Sequence, residues 1–176
     1  MNIKRTEIEN LLLISPFLYS DDRGVFRRSL CTTTLFEHGI NFITKQGNIS
    51  ENLHKFTMRG FHYQIEPSME SKLITCITGS IYNVVIDLRK DSNSLHKWCP
   101  IEISSKNKKS IFIPAGCANA FLTLENNTTV HYYMGDNFNP KTYKGFRYND
   151  KYFNVKWPYP PNVISEKDSK FPDYIP

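Results

Sequence analysis

Six short runs of strand-forming residues follow one another between positions 72 and 133, and that spacing leaves little room for anything but an all-β architecture. Lys72–Thr78 and Ile81–Leu88 flank Gly79-Ser80, a pair that permits a tight turn. They read as a hairpin, because Val84, Val85 and Ile86 favour strands. Ile101–Ser104, Ser110–Ile113, Ala118–Leu124 and Thr128–Tyr133 follow, divided by Pro114-Ala115-Gly116 and Asn126-Asn127. Regular runs of this kind predict a sandwich or barrel. The one helix the sequence predicts is short, around Thr33 to His38. From Asn139 onward prolines accumulate (Pro140, Pro158, Pro160, Pro161, Pro172 and Pro176), so this tail is expected to lie over the barrel as irregular segments. With no internal repeat and no low-complexity linker, residues 1–176 read as one domain.

A chain of 176 residues, 40% hydrophobic and 14% aromatic, can bury a proper core without staples. Cys31, Cys76, Cys99 and Cys117 are widely spaced with no Cys-x-x-Cys pair, and are read as reduced, mostly buried thiols. No apolar stretch is long enough to span a bilayer, and Met1 to Ile8 holds no apolar signal core, which points to the cytoplasm and away from a membrane. The net charge of +5 is spread along the chain. Its densest run, Lys106-Asn107-Lys108-Lys109, falls between two strands as a solvated turn, so a nucleic-acid partner is not expected. A small anionic ligand such as a nucleoside diphosphate is compatible with this balance.

The chemistry concentrates in Arg59-Gly60-Phe61-His62-Tyr63-Gln64 and the nearby Lys72. A histidine titrates near neutrality and can take a proton from carbon, while a lysine beside it can stabilise the oxygen anion that results. That pairing suits proton abstraction next to a ketone. Asp22-Arg23-Gly24-Val25-Phe26, the Arg59 to Gln64 segment, Lys72-Leu73, Val85 to Ser92, Ile113 to Gly116, Gly145 to Asp150 and Ile164-Ser165-Glu166-Lys167-Asp168 occur in an order and spacing that resembles the dTDP-4-dehydrorhamnose 3,5-epimerase family of nucleotide-sugar epimerases. The resemblance runs from about Pro16 to about Asp168.

It implies a cupin-like jelly-roll barrel, a homodimer with shared sites, and a cofactor-independent, metal-free epimerase. The implied substrate is a nucleoside-diphosphate-linked 4-keto-6-deoxy sugar, inverted at carbon 3, carbon 5 or both, for synthesis of a surface glycan. By the same resemblance His62 is the base, Asp168 orients it, Lys72 stabilises the enolate and Tyr132 is the acid on the opposite face. Arg59 and Arg23 would grip the diphosphate and Phe26 stack on the base, with Arg23 and Phe26 reaching the neighbouring subunit's site. Gln46 and Asn48 match a nucleotide-binding segment. Strand alternation puts Tyr132 and Tyr133 on opposite faces, so only one can serve.

The chain also departs from the family pattern. Asn119 stands where histidine is usual, and an amide cannot carry a proton between neutral and charged forms. Phe138 replaces a tyrosine at the sugar pocket, and Arg28 replaces a glutamate beside the nucleotide base. Each site residue has a plainer reading: a hydrogen-bonded structural His62, a strand-edge Lys72, a solvated Asp168, a core Phe26. The competing functions are a single-carbon epimerase of an unusual deoxysugar or heptose, and a non-catalytic cupin-type sugar-binding protein. A metal-dependent cupin calls for clustered ligands, and His38, His54, His62, His96 and His131 include no His-x-His.

Overall fold

A computed structural model describes every residue from Met1 to Pro176. Strands β1 (Asn2–Arg5) and β2 (Leu12–Ser15) open the chain, followed by the ribbon β3 (Leu18–Asp21) and β4 (Gly24–Arg27) and helix α1 (Thr32–Glu37). The central run comprises β5 (Gln46–Asn52), β6 (Thr57–Gln64), β7 (Lys72–Thr78), β8 (Ser80–Asp87), β9 (Trp98–Ser104), β10 (Ser110–Ile113), β11 (Cys117–Thr123) and β12 (Thr128–Met134). The tail adds β13 (Tyr143–Gly145), β14 (Val163–Ile164) and helix α2 (Glu166–Ser169).

These strands form two facing sheets, one in the order β1-β2-β10-β7-β12-β5 and one in the order β13-β6-β11-β8-β9, with β14 beside β6. This is the cupin-like jelly roll that the family resemblance implies. Strand alternation explains why its central strands read as continuous apolar runs. Val85 points between the sheets with Ile74, Cys76, Phe121 and Val130. Val84 and Ile86 point outward, beneath the tail's Phe146, Phe153 and Trp157. Leu73 likewise faces outward, under Leu12, Leu35 and Phe42.

The predicted Lys72–Leu88 hairpin is not formed. β7 pairs with β10 and β12, whereas β8 pairs with β9 and β11 in the other sheet. Gly79 turns the corner between the sheets at φ +72, and a Cβ there would run into Thr128. A glycine corner and a glycine hairpin turn carry the same local signal. Helix α1 begins one residue earlier than expected, and the tail holds two short strands and a helical turn within its irregular course. All four cysteines are free, but only Cys76 and Cys117 are buried.

At the end of β8, Asp87 is fully buried and accepts hydrogen bonds from Arg89 Nη2, Ser92 Oγ and Ser94 Oγ, each at 2.6 Å. Burial works against its charge, but these bonds together outweigh it and hold the carboxyl far below the usual range. The Val85 to Ser92 motif is therefore a structural anchor. Asp87→Asn leaves Arg89 without its counter-charge and is expected to cost about 3 kcal/mol in urea unfolding. Because the native carboxyl is depressed, its contribution is complete above about pH 4 and is lost as the pH falls further. The stability gap between wild type and variant should stay flat from about pH 5 to 8 and shrink only in stronger acid.

Candidate active site

The two sheets part at one end around a cavity of about 600 Å³, a volume suited to a small ligand. Its lining includes His62, Lys72, Tyr132, Arg59, Asn119 and Phe138. His62 and Asn119 stand on one sheet and Lys72 and Tyr132 on the other, so the walls face each other.

Arg59 and His62 are three residues apart, and simple alternation would put them on opposite faces of β6. A bulge brings them to the same face. His62 pairs with Asn119 and Arg59 with Phe121, so Gly60 and Phe61 together oppose the single residue Ala120. Gly60 sits at φ +111, and a Cβ there would lie 2.6 Å from the Asn119 carbonyl oxygen, which excludes any other residue. Met58 and Phe61 then point into the outer core.

Asp168 reaches this bulge from α2, whose first turn Ser165 caps by accepting the Asp168 N–H at 3.0 Å. One carboxylate oxygen lies 2.8 Å from His62 Nε2, and the other accepts the Gly60 N–H at 3.0 Å. Burial opposes ionisation of Asp168, yet the bonds from His62 and Gly60 prevail and hold its carboxyl below the ordinary value. An ionised Asp168 only accepts, so Nε2 carries the proton and Nδ1 keeps the lone pair of the neutral ring.

On the facing sheet, the Lys72 Nζ donates to Asn119 Oδ1 at 3.1 Å and is paired with Glu70 Oε1 at 3.0 Å. Asn119 thus bridges the walls. Tyr132 lines the cavity while Tyr133 turns away to meet His131 edge to face at 4.6 Å between ring centres, as alternation requires. Burial, opposed by Arg59 and reinforced by Glu70, pushes the Tyr132 phenol up, so it holds its proton at neutral pH. Arg59 is oriented by Asn52 Oδ1, 2.7 Å from its Nε.

The other predicted residues lie farther out. Phe138 is half-exposed at the rim, against Tyr143. Gln46 accepts the Phe138 N–H and Asn48 contacts the Met134 sulfur at 3.2 Å, so neither lines the cavity. Arg23 and Phe26 sit on the separate β3–β4 ribbon, where Arg23 pairs with Asp21, and the fold does not bring them to this cavity. Arg28 is exposed beside Cys31.

A family model described as dTDP-4-dehydrorhamnose 3,5-epimerase matches residues 5–174. The chain belongs to this family. It is 34% identical over 173 residues to the dTDP-4-dehydrorhamnose 3,5-epimerase of Escherichia coli (strain K12), covering 97% of this chain and 92% of that one. The crystal structure of the Bacillus anthracis enzyme with TDP and PPi bound is 32% identical, with a TM-score of 0.94 over 98% of this chain and 99% of that one. The Legionella pneumophila enzyme in complex with dTDP-4-keto-L-rhamnose is 31% identical, with a TM-score of 0.89 over 95% and 89% of the two chains. The protein is accordingly an isomerase of the epimerase class.

Among the residues lining the cavity that the sequence reading did not name as site residues are Glu70, Tyr143 and Lys167. Lys167 Nζ lies 4.0 Å from the Tyr143 ring centre. Its position next to Asp168 was the available signal. Glu70 stands two residues before Lys72, the spacing that returns an extended chain to the same face.

Proposed function

We propose that the protein inverts carbons 3 and 5 of a dTDP-linked 4-keto-6-deoxyhexose through an enolate, without a cofactor. The observation that carries this reading is the placement of His62 and Tyr132 on opposite walls of one cavity, with Lys72 between the sheets. Inversion needs a proton removed from one face of the sugar ring and another delivered to the opposite face. His62 Nδ1 takes the proton from the carbon beside the ketone, and Asp168 steadies the imidazolium that forms. The electron pair moves onto the carbonyl oxygen, where Lys72 meets the developing charge. Tyr132 then gives its phenolic proton to the other face. The keto group is itself the electron sink.

Arg59, held by Asn52, turns its free nitrogens toward the diphosphate. The ribbon leaves Leu18, Tyr19, Val25 and Phe26 each at least 50% exposed, an unusual apolar surface for a single subunit. In this reading it packs on a second subunit, carrying Arg23 and Phe26 to the partner's cavity. Gln46 and Asn48 complete the nucleotide site there, and the homodimer works in the cytoplasm.

The substrate assignment is tested by incubating the protein with dTDP-4-keto-6-deoxyglucose, reducing the product with borohydride and determining the sugar's configuration. Recovery of L-configured 6-deoxyhexoses is expected. Recovery of D-configured sugars alone would contradict inversion at carbon 5.

A further inference from the structure

Two buried side-chain atoms lack a hydrogen-bond partner, Oε2 of Glu70 and Nδ2 of Asn83, and both belong to the polar layer around Lys72. Glu70 is ion-paired with Lys72 directly, 3.0 Å from its Nζ. Asn83 reaches it through Asn119, whose Nδ2 donates to Asn83 Oδ1 at 3.4 Å. Buried polar atoms in native proteins are nearly always paired, and the exceptions call for an explanation. Glu70 is 6% exposed, and a carboxylate so buried is costly to hold unless a charged partner meets it. That partner is Lys72.

We propose that Glu70 is a positioning residue for the reaction: it holds the Lys72 ammonium as its counter-charge while Asn119 accepts one of its N–H groups, leaving N–H groups for the oxygen that becomes negative. The inference rests on the role of Lys72 given above. An ammonium has three donors and no acceptor, on a flexible four-carbon stem. One hydrogen bond, to Asn119, and one ion pair, to Glu70, give that stem a defined direction, and Lys72, Glu70 and Asn119 all border the cavity. After burial, the same carboxylate also contributes to raising the phenols of Tyr132 and Tyr143, which keeps protons on the side chains around the sugar. Asn119 does not titrate, so the carboxylate of Glu70 is the charged member of this pair of Lys72 neighbours.

The test compares wild type, Glu70→Gln, Lys72→Met and the double variant. Deuterium incorporation from solvent into dTDP-4-keto-6-deoxyglucose and the dissociation constant of that sugar nucleotide are measured for each. Glu70→Gln should slow exchange by about 10²-fold, as when an oxyanion donor is lost, with affinity changed less than about 3-fold. In the Lys72→Met background the same substitution should cost nothing further, because Glu70 acts through Lys72. An equal loss in both backgrounds would make Glu70 merely structural and overturn the proposal. Undiminished exchange in Glu70→Gln would overturn it while leaving Lys72 in place. Lys72→Met exchanging at the wild-type rate would remove the role of Lys72, and this inference with it. If Glu70→Gln does not fold, Glu70→Asp keeps the charge on a shorter stem and enters the same cycle, with an expected loss on the order of 10-fold confined to the background that retains Lys72.

Discussion

His62→Ala is expected to slow exchange of the sugar's carbon-bound hydrogens with solvent by about 10⁴-fold while leaving sugar-nucleotide affinity within about 3-fold of wild type. The separation follows from geometry. His62 contributes one ring nitrogen to the cavity and spends the other on Asp168, so it supplies the base and little of the binding surface. Removing the ring leaves Asp168 in contact with the Gly60 amide, so the β6 bulge should survive and the variant should fold. Exchange measured by mass spectrometry and affinity by calorimetry report the two quantities independently. Exchange at the wild-type rate would remove His62 from the mechanism.

Tyr132→Phe should divide the reaction at a different point. The proton on the His62 face still comes off and can return to the same face, so deuterium enters without inversion. Net inversion is expected to fall by about 10³-fold while exchange stays within about 10-fold of wild type. The hydroxyl is the part removed; the ring still packs against the interior core, so stability should change little. Tyr143 is a second phenol held protonated by burial, but it sits on β13 beside His62 and cannot deliver to the opposite face. Normal inversion by Tyr132→Phe would shift the acid to another group.

Much of this site was legible in the sequence because it depends on side-chain type within short motifs. The histidine, the lysine and the distant aspartate each carry recognisable neighbours, and alternation alone separates Tyr132 from Tyr133. What stayed hidden is set by tertiary geometry. The bulge at Gly60 reverses the face that alternation assigns to Arg59 relative to His62, and only the pairing with β11 reveals it. Gly79-Ser80 looks like a hairpin turn, yet it marks a crossing between sheets, since a local signal does not say which strands become neighbours. Glu70, between Pro67 and Lys72, reads as a solvated loop carboxylate until the fold closes over it. Arg23 and Phe26 lie on a ribbon that the fold does not bring to the cavity, a separation that a local motif match does not reveal.

The most direct measurement is the mass of dTDP-4-keto-6-deoxyglucose after incubation with the wild-type protein in deuterium oxide. Proton abstraction on both sides of the ketone predicts two deuteriums gained at carbon and an inverted product. One deuterium would restrict the enzyme to a single carbon. No uptake, despite measurable binding of the sugar nucleotide, would contradict the account and leave a sugar-binding protein on an epimerase fold.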